Sequence, residues 1–260
     1  MALTYSSYLK LDELLALQQP VSEGPEHDET LFIVVHQVYE LWFKEMLHEI
    51  DYLRKLLERR DTPRALHTLK RVLTILKVVV AQIDVLETMT PLEFLTFRER
   101  LESGSGFQSF QFRELEYALG MKEGGALSRY PAGSEARRSL ERRLAEPTLW
   151  DAFLRFLAAS GYAVPKPLLD RDVRSSVSPA PELHPVLIEV YRKDPVASSL
   201  CERFVDLDEG FQEWRYRHVK MVERTIGTKR GTGGSEGAAY LRTTLHKPFF
   251  PDLWAIRTEL

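Results

Sequence analysis

Apolar residues recur along the chain every three or four positions, which is the spacing of one helix face and not the alternation of a strand. Thr30 to Glu58 reads as one long helix with two neighbouring stripes. Leu31, Val35, Val38, Trp42 and Met46 form the first stripe, and Phe32, Tyr39, Phe43, Leu47 and Ile50 the second. Ile33, Gln37, Glu40, Lys44, His48 and Asp51 fill most of the opposite sector. Two adjacent stripes predict a helix buried over more than half its girth, as at the centre of a bundle. Pro63, tolerated where a first-turn N–H lacks a partner anyway, opens a second helix striped by Leu66, Leu69, Leu73, Leu76, Val80 and Ile83.

Pro91 opens a shorter helix to about Leu101, the "SGSG" run (Ser103–Gly106) breaks it, and another helix follows near Ser109–Leu119. Lys122–Pro147 is charged and irregular, with a short helix at "EARRSLERRL". Leu149–Ala159 is helical, and the proline-rich stretch Pro165–Pro185 predicts a long irregular connection. Helices are expected at about Val186–Tyr191 and Pro195–Ile226. A glycine-rich loop comes next, then a helix near Gly237–Leu245 and a tail ending in "KPFFPDLW". With no internal repeat and no alternating pattern, the chain reads as all-α, a single-domain helical bundle over residues 1–260.

Composition narrows the function more than the fold. Of 260 residues, 44% are apolar and 28% charged, and the net charge is only −3, so no global field draws the chain to nucleic acid or an anionic membrane. One cysteine, Cys201, permits neither an intramolecular disulfide nor a thiolate zinc cluster. The N-terminus lacks the basic-then-apolar order of a signal peptide, and Lys77 interrupts the most apolar run, "VLTILKVVV". These features predict a soluble, cytoplasmic protein.

Two histidines sit in apolar helical surroundings. His218 shares a face with Phe204, Leu207, Phe211, Trp214, Val222 and Thr225, so its imidazole points to the apolar side. A core histidine bonded to a carbonyl fits that pattern, and so does the axial ligand of a haem iron, whose second ring nitrogen then needs its own partner. No C-x-x-C-H run occurs, so such a haem would be held non-covalently. His36 lies at the edge of the second stripe beside Phe32, Tyr39 and Phe43. It reads either as a half-buried structural histidine or as an acceptor for a donor-only N–H such as an indole.

Other signals are weaker. Glu45 and His48 have Glu-x-x-His spacing, but a di-iron bundle needs a second copy, so both read as solvated. His27, Asp28 and Glu29 look like a helix start. Arg98 reads as a solvent partner of Glu102 or, turned inward beside "SGSG", as a clamp for a ligand carboxylate. "SRYP" and "RRSLERR" read as a solvated face. The loop "IGTKRGTGGSEG" (Ile226–Gly237) is not a Walker A cradle, because Lys229 precedes the glycine cluster and a helix precedes the loop. An anion could still meet the helix start near Ser235. What remains is a flexible surface link or a mobile lid carrying Thr232.

Five blocks, in order, resemble the tryptophan 2,3-dioxygenases: "TYSSYLKLDELL", "HDETLFIVVHQVYELWFKEMLHEID", "VLETMTPLEFLTFRERLESGSGFQSFQFRELEYALG", "FQEWRYRHVKMVERTIGTKRGTGGSEGAAYLRTTL" and "FFPDLW". The resemblance implies a homotetrameric enzyme with ferrous haem b, adding both atoms of O₂ across the indole C2–C3 bond of L-tryptophan to give N-formylkynurenine. It assigns His218 as the iron ligand, His36 as the contact to the indole N–H, orienting the substrate more than deprotonating it, and Phe32 as a ring packed on the indole. Arg98 resembles the carboxylate clamp, Thr232 the lid residue on the substrate's amino-acid backbone, and Gly106 a turn close to the haem. Tyr5, Tyr8 and Leu9, within an N-terminal segment of residues 1–25, resemble residues that enter a neighbouring subunit's site. One departure is Phe94, where some bacterial members carry a tyrosine able to help hold the carboxylate. A haem enzyme for another indole, or a haem sensor, are the alternatives, and a sensor would need neither His36 nor Arg98.

Overall fold

Each long helix begins where the sequence supplies an N-cap, an N1 proline or first-turn acids, and ends where the backbone turns over. A computed structural model describes residues 2–24, 26–232 and 237–260, and every regular element among them is helical. Short helices α1 (Tyr5–Leu9) and α2 (Leu11–Leu15) lead into α3 (His27–Glu58), which starts three residues earlier than its apolar pattern because Asp28 and Glu29 suit a first turn. Glu29 also accepts the amides of Val21 and Ser22 at 2.7 and 3.1 Å, tying the N-terminal segment to α3. Arg60, at φ 56°, reverses the chain, and Asp61 caps α4 (Thr62–Leu86). A Thr90–Glu93 capping box starts α5 (Pro91–Arg98), which tightens into a 3-10 turn at Glu99–Leu101.

The remaining elements are α6 (Phe110–Leu119), α7 (Glu135–Ala145), α8 (Leu149–Ala159), the one-turn α9 (Lys166–Leu169), α10 (His184–Lys193), α11 (Pro195–Ile226), α12 (Ala238–Arg242) and α13 (Pro251–Ala255). The stretch expected to be irregular from Pro165 to Pro185 therefore contains α9 and a 3-10 turn at Pro181–Leu183. Arg171 pins it through Nε and Nη2 to Asp151 of α8, at 2.6 and 2.9 Å. The helix expected near Gly237–Leu245 is shorter and ends at Arg242. No helix among the described residues is long and apolar enough to cross a membrane.

The bundle is built on α4, packed between α3 and α11, with α6 and α8 against the other side of α3. Because α4 has neighbours on two sides, its buried sector is broad and centred on Ala65, Leu69, Val72, Leu76, Val79 and Ile83. Leu66 and Leu73, expected in the stripe, lie at its edge and are only partly buried. At the α4–α11 crossing, a Cβ on Gly210 would come within 2.6 Å of Leu76 Cδ2, so glycine permits the close approach. Buried Asp208 on α11 accepts the amides of Phe249 and Phe250 and the indole N–H of Trp254, at 2.9, 3.1 and 3.0 Å, and so seats the C-terminal tail. Losing that carboxylate would strand two buried amides, at roughly 1–3 kcal/mol each, besides the indole N–H of the more exposed Trp254.

The "RRSLERR" run is not wholly solvated. Arg143 is 6% exposed. Its Nη1 and Nη2 meet the two oxygens of Asp51 at 2.5 and 2.8 Å. The last turn of α7 folds back onto acids of α3 and of Glu146, and this pairing offsets the cost of burying the cation. Tyr130 of "SRYP" is likewise buried, beside Tyr117 and Leu140.

Candidate active site

One cavity opens between α3, α5, the 104–109 turn, α6, α11 and α12, and Phe32, His36, Phe94, Arg98, Gly106, His218 and Thr232 all line it. Residues spread over two hundred positions thus converge. Tyr5, Tyr8 and Leu9 do not line it: they sit on α1 and are 76%, 70% and 40% exposed. The structure brings the first seven candidates together and leaves these three on the surface of the single chain.

His36 is held by its own helix. Its Nδ1 lies 2.7 Å from the carbonyl of Phe32, one turn earlier, and a carbonyl only accepts, so Nδ1 carries the hydrogen. Burial pushes the pKa of His36 down, against the opposing pull of that carbonyl and of Glu40. The ring is therefore neutral near pH 7, and its Nε2 presents a lone pair. Phe32 lies 4.1 Å from the His36 ring, and Phe94 and Phe97 lie 5.8 and 5.6 Å from Phe32, forming an aromatic wall. Glu40, expected on the polar side of α3, instead reaches the cavity, where its Oε2 accepts from Gln111 of α6 at 2.8 Å.

His218 is held by packing. Its ring stacks on Trp214, centroids 4.9 Å apart and planes at 21°, and it makes no hydrogen bond to any described residue. Burial, with a lesser push from His36, brings its pKa down to about 4, so a neutral lone pair faces the cavity. No group of three or more His, Cys, Asp or Glu gathers to hold a bare metal ion among the described residues. A single free imidazole suits an iron whose other ligands come with its own macrocycle.

The surroundings fit such a macrocycle and its carboxylates. Trp214 Nε1 is buried and faces the Tyr39 hydroxyl. Arg113 and Glu116 of α6 and Arg215 of α11 line the same cavity, each at most 8% exposed. Arg113 donates to Glu116, and Arg215 Nη2 lies 3.6 Å from the other Glu116 oxygen. A Cβ on Gly106 would meet nothing within 4 Å, so no protein atom fills the space beside it. Sequence reasoning passed over Arg113, Glu116 and Arg215. Their signal was available on α11, where Asp208 and Arg215 lie seven residues apart on the side that also carries Phe204 and Phe211.

At the mouth, Arg98 turns inward and makes no ion pair with Glu102. Its Nη2 donates to the carbonyl of Arg230 at 2.5 Å, while its Nε is buried with no hydrogen-bond partner among the described residues. Thr232 returns the contact, its hydroxyl donating to the carbonyl of Gly104 at 2.6 Å. The segment after α11 is thereby tied to the cavity wall from both sides. Ser235, considered as an anion contact, lies outside the described residues. Phe107 meets Tyr240 edge-on at 5.0 Å, with the Arg129 guanidinium 4.2 Å over Phe107.

A family model described as Tryptophan 2,3-dioxygenase matches residues 1–140 and 178–260. A protein from Herpetosiphon aurantiacus named tryptophan 2,3-dioxygenase is 63% identical over 259 residues, covering 100% of this chain and 99% of the relative. One of the same name from Anaeromyxobacter sp. strain K is 60% identical over 259 residues, covering 100% and 97%. Another, from Rhodococcus jostii, is 46% identical over 261 residues, covering 99% and 92%.

Proposed function

The chain belongs to the tryptophan 2,3-dioxygenase family, and from that premise we propose how its cavity carries out the haem-dependent dioxygenation of L-tryptophan to N-formylkynurenine. The observation that carries the assignment of roles is the pair of neutral imidazoles on different helices of one cavity. One has its tautomer fixed by a carbonyl, and the other makes no hydrogen bond to any described residue.

His218 would hold the iron of haem b. The Arg113 guanidinium would meet its propionate carboxylates, and Gly106 would leave room at its edge. When bound, ferrous haem supplies the binding and activation of O₂. His36 Nε2 accepts the indole N–H and so orients the ring, while Phe32 and Phe94 pack against its face. Arg98 offers its guanidinium to the substrate carboxylate as a charge-assisted clamp, Nε and the neighbouring Nη2 forming the fork while Nη2 also reaches the Arg230 carbonyl. Phe94 has no hydroxyl to help, so Arg98 carries more of that contact. Thr232 meets the amino-acid backbone and, with Arg98, keeps the 226–232 segment closed over the substrate, excluding water.

The same reading makes the chain one haem-dioxygenase domain of a cytoplasmic homotetramer. The exposed Tyr5, Tyr8 and Leu9 would then enter a neighbouring subunit's cavity. The test is an anaerobic spectrum of the ferrous protein with L-tryptophan, followed by oxygen. We expect a tryptophan-dependent shift of the haem bands and then N-formylkynurenine absorbance, and oxygen uptake without that product would overturn the reading.

A further inference from the structure

Glu116 has no part in the substrate contacts above, yet it is a carboxylate in the cavity wall, only 3% exposed. A charge so placed is costly unless paired and hydrogen-bonded. Its pairing is divided between two helices: one oxygen accepts from Arg113 Nη1, one turn earlier on α6, and the other faces Arg215 Nη2 on α11.

The two arginines are held very differently. Arg215 donates to the carbonyls of Lys247 and Thr244 at 2.7 and 3.3 Å, contacts Met121 sulfur at 3.7 Å, and lies 4.8 Å over the Phe249 ring. It is fixed without Glu116. The Arg113 guanidinium makes one hydrogen bond to a described residue, and that bond is to Glu116. Without Glu116, no hydrogen bond to a described residue aims Arg113. With Nη1 committed to Glu116, the other side of the planar fork remains for a second carboxylate, the geometry in which arginine binds such groups best. Arg215, the support on the far side of Glu116, lies three residues before His218. The pairing therefore ties the cationic wall to the helix that carries the free imidazole.

We infer that Glu116 is a positioning residue for the cofactor: by holding Arg113 against the fixed Arg215, it presents the free edge of Arg113 to a propionate carboxylate of the haem. This rests on the haem reading given above. Glu116 itself touches neither substrate nor iron, and its influence passes through Arg113.

The test separates positioning from mere support of the fold by changing the cofactor as well as the protein. Haem-free wild type and Glu116→Gln would each be titrated with haemin and with haemin dimethyl ester, whose propionates are uncharged, following the Soret band. We expect Glu116→Gln to weaken haemin binding about tenfold or more and to change the diester's affinity by less than about twofold. Equal weakening of both would make Glu116 a general structural residue, and no weakening of either would leave Arg113 aimed by something else; each outcome overturns the inference. Should Glu116→Gln fail to fold, Glu116→Asp keeps the charge but withdraws it from Arg113, and the same selectivity for haemin is expected. Wild type that binds neither compound would remove the haem reading itself, a failure distinguishable from loss of selectivity.

Discussion

The helices carrying the two histidines, α3 and α11, are each 32 residues long, but they secure their imidazoles by different means. In α3 the carbonyl of Phe32 takes the Nδ1 hydrogen of His36, which decides which nitrogen can accept. In α11, Trp214 stacks on His218 from the same four-residue distance and sets the plane of the ring, and neither nitrogen is spent on a hydrogen bond to a described residue. A contact to a substrate N–H requires one defined acceptor atom. An iron ligand requires a lone pair and an orientation, and packing supplies the orientation. The spacing is the same in both helices, and the neighbouring residue type decides the outcome.

That contrast can be broken at either ring. His218→Ala should have the largest effect, abolishing stoichiometric haem binding while His36 stays in place. A variant with an unchanged Soret band would end the ligand assignment. Next, Arg98→Ala should raise the KM for tryptophan about a hundredfold, the loss expected for a charge-assisted pair of bonds, with haem content unchanged. Unaltered kinetics would leave the clamp role without support. Deleting residues 2–10 should lower activity about tenfold and loosen the oligomer, if Tyr5, Tyr8 and Leu9 complete a neighbouring cavity. A fully active, normally assembled truncation would place them elsewhere. Thr232→Ala, which removes one neutral hydrogen bond from the seam with Gly104, should cost only about three- to tenfold in kcat/KM.

The smallest effect is on stability against pH. Burial holds the folded-state pKa of both rings below the ordinary histidine value of about 6.5, so the unfolded chain takes up protons first on acidification. Their contribution to stability is complete above that value and is lost as pH falls toward about 4, where His218 titrates in the folded state. Melts of the haem-free protein between about pH 7.5 and pH 4.5 should show this slope. The slope should flatten in His36→Gln, and an identical slope in that variant would deny the ring its share.

Much of this arrangement was legible in the residues. α11 runs from Pro195 to Ile226 as its pattern indicates, because Asp194 caps its first amides and Gly227, at φ 59°, ends it. Periodicity alone places both histidines on apolar faces, though it does not separate the core reading from the ligand reading. What stayed hidden was charge turned inward. A helical wheel assigns Glu40, Glu116 and Arg143 to water unless the partner is known, and every partner sits on another element or one turn away. Arg98 was ambiguous for the same reason, since the Arg230 carbonyl that holds it is 132 residues distant.

The glycine at the α4–α11 crossing has a consequence for the iron. Gly210 lies eight residues before His218, about 12 Å along the helix axis. A side chain there would have to displace Leu76, and whatever part of that displacement α11 took up would carry the imidazole with it, as a pivot moves the end of a lever. Where the metal would sit is therefore governed partly by a contact between a glycine and a leucine, neither of which can bind anything.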